Sequence, residues 1–212
     1  FLTHFAIFGS SGYGKTNVAL HLVRTLSKKG VPILIFDFSK RNYRDLIQLE
    51  DLRDKIYVYT VGREVSPFRF NPLRPPDGVQ ISQWAKEFAE IFDHAYWMMG
   101  GGRYIILKAL NEVYDERAPS IPRIFDLKRK LEEYMEGKLS ARERNWIATA
   151  KRPLESLCFR ETAYIFDCEK GILPSFFFEG DKITILELDA LSTNDRIFLI
   201  EIILQWIRDW LV

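Results

Sequence analysis

Gly9-Ser10-Ser11-Gly12-Tyr13-Gly14-Lys15-Thr16 has the residue types and spacing to hold a triphosphate. The run fits GxxxxGK[ST], and its flanks, an apolar stretch before it and a helix-forming stretch after it, are the setting in which that pattern has physical meaning. Inward-pointing backbone amides require a curled chain, which Gly9, Gly12 and Gly14 permit where a Cβ would obstruct it. The following helix adds the positive end of its dipole to the amides of Ser10, Ser11, Tyr13 and Asn17. Lys15 can reach the β and γ oxygens, and the Thr16 hydroxyl can ligate a magnesium ion. The expected ligand is ATP with Mg2+, with Lys15 and Thr16 the groups nearest the chemistry.

Two further carboxylates stand where chemistry could use them. Asp37 ends an apolar run, VPILIFDF, and either orders water near the metal or caps a turn. Glu187 follows ITIL, as a magnesium-holding acid would. It alternates with Asp189 rather than adjoining a second acid, so a core strand running into a capped helix explains it better. Arg41, Arg44, Arg142, Arg144, Lys151 and Arg152 are candidate phosphate contacts, but most are expected to be solvated surface charges. Trp97, Met98, Met99 and Phe176-Phe177-Phe178 read as packing groups before they read as base-stacking platforms. His4, His21 and His94 share no metal-ligand spacing, and Cys158 and Cys168 fit no CxxC pattern, so free thiols are expected.

The elements that must position these groups alternate. Phe5 to Phe8 predicts a buried strand, Thr16 to Lys29 a helix stopped by Gly30, and Val31 to Phe38 a strand covered on both faces. A short helix near Tyr43 to Leu49 and a strand at Lys55 to Val61 continue an α/β pattern with a mainly parallel sheet. Four prolines between Gly62 and Val79 predict a long loop. Gln80 to Leu157 then turns helical. A first helix is broken at Gly100-Gly101-Gly102, others follow over Arg103 to Glu116, Arg123 to Glu136 and Ser140 to Leu157, and Ser140 with Glu143 forms a capping box. Strand character returns at Thr162 to Phe166 and Lys182 to Leu188. The last segment, Ile197 to Val212, reads as a core helix with a narrow polar face. The division expected is core over 1–79, helical insertion over 80–158, and a return to the core over 159–212.

Composition excludes several classes. In 212 residues, 30 Lys and Arg against 29 Asp and Glu leave a formal charge of +1, so any polyanion contact is local. No signal peptide or apolar span of membrane length is evident, and a cytoplasmic location is expected. No NKxD segment supports a GTPase.

Four segments together resemble the HerA and FtsK superfamily of P-loop ATPases: HFAIFGSSGYGKT, ILIFDF with SKRNYRDL, FNPL at Phe70 to Leu73, and KITILELDAL with its apolar helix. The resemblance is strongest to HerA-type DNA translocases and related conjugation or type IV secretion ATPases. It implies a RecA-like core, a hexameric ring with ATP at subunit boundaries, DNA as partner, and a nuclease or other effector alongside. Where members commonly carry a glycine and an acid after the aspartate, this chain has Ser39-Lys40-Arg41. Opening on Phe1 and stopping at Val212 in a helical run, the chain reads as part of a longer protein. The acidic magnesium motif is then expected beyond Val212. A nucleotide-gated regulatory module and a small-molecule phosphotransferase are the readings from other classes.

Overall fold

The computed structural model describes residue 4, residues 6–38 and residues 41–212. Contacts divide the chain into two units, Phe1–Tyr59 with Phe177–Asp189, and Thr60–Phe176 with Ala190–Val212.

The first unit carries the phosphate-loop motif. Its helix α1 (Lys15–Ser27) is followed by β1 (Ile33–Asp37), 3₁₀ turns at Asn42–Gln48 and Arg53–Lys55, and β2 (Ile56–Thr60), which ends at the unit boundary. The chain returns from the second unit as β3 (Ile183–Glu187), which inserts between the other strands in the order β1-β3-β2. β1 and β3 are parallel, in register from Ile33↔Ile183 to Asp37↔Glu187. Strand alternation puts Ile33, Ile35, Ile183, Ile185, Ile56 and Val58 in one cluster, where Leu20 and Val23 of α1 and Leu46, Leu49 and Leu52 pack. Gly30 closes α1 in a left-handed conformation, φ 72°, with Gly30 N–H donating to Ser27 and Val31 N–H to Leu26.

The sheet corrects two expectations. Ala6 to Phe8 form no strand, and Phe8 is 90% exposed; apolar residues make a strand only where a neighbouring strand pairs their amides. Phe5, with which that expected strand began, lies outside the described residues. β1 is only half-buried from Ile33 to Phe36, whereas the central β3 is buried throughout, so full coverage belongs to β3 rather than to β1.

The second unit is helical: α2 (Ile81–Tyr96), α3 (Met99–Arg117), α4 (Ile124–Glu136), α5 (Ala141–Leu157), α6 (Arg160–Phe166) and α7 (Thr193–Trp210). Aromatic packing dominates its core. The Phe198 ring meets Phe88 and Phe92 edge-on at 5.7 and 5.4 Å. The proline-rich segment is not a loose loop: Phe68, Phe70, Asn71 and Leu73 are buried, and three ring side chains donate to its carbonyls. These are Trp84 to Pro72 and Trp206 to Arg74, both at 3.0 Å, and Tyr114 to Leu73. Gly171 lets the chain approach it, since a Cβ there would lie 2.7 Å from the Arg69 carbonyl.

In this unit two expectations fail locally, one of a strand and one of a helix break. Residues 160–166 form α6 rather than a strand, because a short apolar run has no period of its own and Ile165 and Phe166 bury equally well from a helix. The three glycines lie inside the first turn of α3 instead of breaking it. The break falls at Trp97, the left-handed cap of α2, and Gly101 is the contact point at which α3 meets Trp146. Among the described residues, no helix is long and apolar enough to cross a membrane.

Candidate functional site

α1 begins on the phosphate-loop motif itself. Gly12 and Gly14 have φ of 85° and 79°, a left-handed backbone that costs L residues with a Cβ about 1 kcal/mol or more. Gly14 is the N-cap, no side chain among the described residues caps the helix, and the first helical bond is Val18 N–H to the Gly14 carbonyl at 3.0 Å. The amides of Lys15, Thr16 and Asn17 thus precede the helical ladder, in the orientation that suits an anion. The Lys15 ammonium donates to the Gly9 and Ser10 carbonyls, both at 2.7 Å. Ser10 and Ser11 lie exposed on the curve, and Tyr13 projects from it, 82% exposed. Among the described residues a Cβ at Gly12 or Gly14 would meet nothing within 4 Å, so it is the backbone conformation that calls for glycine there.

The second cluster forms at the carboxyl edge of the sheet, where the β1–β3 register sets Asp37 beside Glu187. Glu187 is 1% exposed and accepts a two-pronged bond from Arg44, Nε to Oε1 at 2.7 Å and Nη2 to Oε2 at 2.5 Å. Asp189 accepts the same kind of fork from Arg41, at 3.2 and 2.6 Å. These pairs hold both guanidinium groups still further above their ordinary pKa. Burial, and then the Asp37 carboxylate, push the Tyr43 phenol upward. Arg41 and Arg44 are therefore ion-paired to β3 rather than simply solvated. Their partners lie 148 and 143 residues away, and no local sequence pattern announces such forks.

The other candidates disperse. Arg142 lies over the Trp146 ring, Lys151 pairs with Glu132 and Glu155, and His94 meets Glu201 at 2.9 Å. Met98 and Phe177 are buried, while Trp97 and Met99 are exposed. Both cysteines are free thiols, pushed up by burial to about 12 for Cys158 and about 11 for Cys168, which makes them poor nucleophiles. Among the described residues, no group of three or more His, Cys, Asp or Glu could hold a metal ion. A cleft of about 680 Å³ in the helical unit, between Gly78–Ser82 and Asn111–Ala118, gathers no comparable set of charged groups.

Residues 1–207 match the family model described as the central domain of helicase HerA. The chain belongs to that family. Among solved structures, the HerA-type domain is similar to VirB4 of Thermoanaerobacter pseudethanolicus, with a TM-score of 0.63 and 14% identity over 93% of this chain and 75% of that one. At that identity the likeness concerns the fold, and it agrees with a RecA-like α/β core. A search of curated proteins gave no significant match. The HerA-type domain is thus a P-loop ATPase domain of the HerA and FtsK type, the superfamily its segment order resembles.

Proposed function

We propose that this HerA-type domain binds Mg-ATP at Gly9 to Thr16 and hydrolyses it as the motor of a ring-forming DNA translocase. The observation that carries the reading is the uncapped start of α1, where Gly12 and Gly14 curl the chain and Lys15 closes it. These residues suit the nucleotide: the amides of residues 10–17 would take its phosphate oxygens, Lys15 would neutralise them, and the Thr16 hydroxyl would join the magnesium shell. Bound Mg-ATP would supply the phosphoanhydride bond whose cleavage releases energy. On the same reading, residues 80–158 are an insertion in the core, the working assembly is a homohexamer, and a nuclease or other effector accompanies it. Family membership supports this.

The test is the ATPase activity of the full-length protein with and without duplex DNA. Turnover that rises with DNA and disappears in Lys15→Ala is expected. Failure to form rings, together with indifference to DNA, would remove the motor reading.

A second reading, a nucleotide-gated assembly module, draws support from Glu187, whose two oxygens are both engaged by Arg44. β3 then offers no carboxylate ready for magnesium. Steady turnover would rule this reading out, whereas binding without turnover would favour it. A conjugation or secretion motor shares the fold, and a preference for a protein substrate over DNA would distinguish it.

A further inference from the structure

The two arginine forks at the sheet edge share one geometry. Arg41 and Arg44 each present Nε and Nη2 to a carboxylate, and among the described residues nothing bonds the Nη1 group of either. A guanidinium has five N–H donors, and a two-pronged bond uses two of them, so three remain on each side chain. Both side chains are part-exposed, Arg41 at 36% and Arg44 at 42%, while the Glu187 side chain beneath is fully buried. Arg41 Nε also lies 3.9 Å from Glu187, so the two forks are neighbours.

A buried carboxylate whose oxygens are both engaged is an anchor, and it fixes the plane of the guanidinium it holds. Stability alone does not call for a charge at Glu187, because desolvating that carboxylate offsets much of what its pairing returns. Arg41 also adopts a left-handed backbone, φ 49° and ψ 29°, an uncommon conformation for a residue other than glycine. The same residue's side chain carries the fork to Asp189. The forks stand at the carboxyl ends of parallel strands, where open α/β sheets take their ligands.

We infer that Arg41 and Arg44 form a second anion site, oriented by Asp189 and Glu187, whose outward N–H groups take the oxygens of a phosphoryl group. Planar donors in pairs match phosphate better than an ammonium does. Glu187 then serves as a positioning residue for Arg44 and not as a magnesium ligand. The phosphoryl group comes from one of two sources, the γ-phosphate of a nucleoside triphosphate or a phosphodiester of DNA. The first source rests on the nucleotide-binding reading above, and the second does not.

The experiment titrates full-length protein with Mg-ATP, Mg-ADP and a DNA duplex of about 30 base pairs over a range of salt. The variants are Arg41→Gln, Arg44→Gln and Arg44→Lys, with Lys15→Ala as the control for the phosphate loop. A nucleotide source predicts about tenfold weaker Mg-ATP binding in both Gln variants, with Mg-ADP and DNA unchanged and Arg44→Lys intermediate. A DNA source predicts weaker duplex binding, with the slope of log affinity against log salt reduced by about one per arginine and nucleotide binding unchanged. All three ligands staying within about twofold of wild type would overturn the inference. If Arg44→Gln does not fold, Arg41→Gln decides alone, since its partner Asp189 is partly exposed. Wild type that binds DNA but no Mg-ATP removes the phosphate-loop reading and leaves the DNA arm decisive. Wild type that binds neither overturns both.

Discussion

The two units are organised by different physics. In the helical unit Trp84, Phe70, Phe88, Phe92, Phe166 and Phe198 are wholly buried, and its ring donors are satisfied by carbonyls of the proline-rich segment. In the unit with the phosphate loop, a smaller aliphatic cluster of Val23, Leu46, Leu52, Ile183 and Ile185 is flanked by surface ion pairs such as Arg24–Asp51 and Lys55–Asp181. Its chemistry lies in backbone conformation and charge at the surface. Apolar burial gives one unit its stability, whereas the other keeps polar groups poised, which burial would silence. Substitutions should therefore divide into those that lower stability and those that lower ligand affinity.

The largest expected effect is Phe198→Ala, which removes a ring packed against Phe88, Phe92, Tyr96 and Phe166. It should cost about 4 kcal/mol in denaturant unfolding and leave the intrinsic nucleotide affinity of folded protein unchanged. A loss of affinity in folded protein would blur the division. Arg44→Ala tests its middle ground, because it takes the two-pronged partner from the buried Glu187 carboxylate and leaves it only Arg41 Nε at 3.9 Å. The expected loss is about 3 kcal/mol, and Glu187→Gln added to Arg44→Ala should recover part of it. Lys15→Ala should act in the opposite sense, weakening Mg-ATP binding about a hundredfold, or ~2.8 kcal/mol, with little change in unfolding. Calorimetry and thermal denaturation on the same sample check both halves.

Smaller effects sharpen the picture of the helical unit. A Cβ at Gly101 would lie 2.1 Å from Trp146 Nε1, so Gly101→Ala should overpack the α3–α5 contact. Overpacking of about 2 kcal/mol, offset by about 1 kcal/mol of helix propensity, predicts a net loss of about 1 kcal/mol. Ser140→Ala removes an exposed N-cap and should cost about 0.5 kcal/mol. The Ser140 hydroxyl and amide also hold the Glu143 carboxyl below its ordinary pKa. A depressed pKa contributes stability above the ordinary carboxylate range and loses it as pH falls through the folded value. The gap between wild type and Ser140→Ala should therefore narrow in acid.

What could be read from the residues alone follows from how local each signal is. α1 with its Gly30 stop, α4, and α5 with its Ser140–Glu143 box carry their periods and caps within a few residues, and they emerge close to where the pattern puts them. β3 emerges likewise, because ITIL is buried on both faces. α6 does not, since TAYIF carries no period that separates helix from strand. Burial of the FNPL segment depends on Trp84, Tyr114 and Trp206, which reach it from different helices. In the candidate site the glycines and Lys15 were legible, but not the target of the Lys15 amine. The arginine forks were illegible, since each joins the segment after β1 to the far end of the chain.

The Lys15 ammonium spans the mouth of its own loop, fastened to the Gly9 and Ser10 carbonyls. For a polyphosphate this makes entry an exchange of acceptors at a rim already knitted together, rather than the ordering of slack chain. Little conformational entropy should then be lost on association, and the heat-capacity change on binding Mg-ATP should be small, as for a surface that neither folds nor buries apolar area.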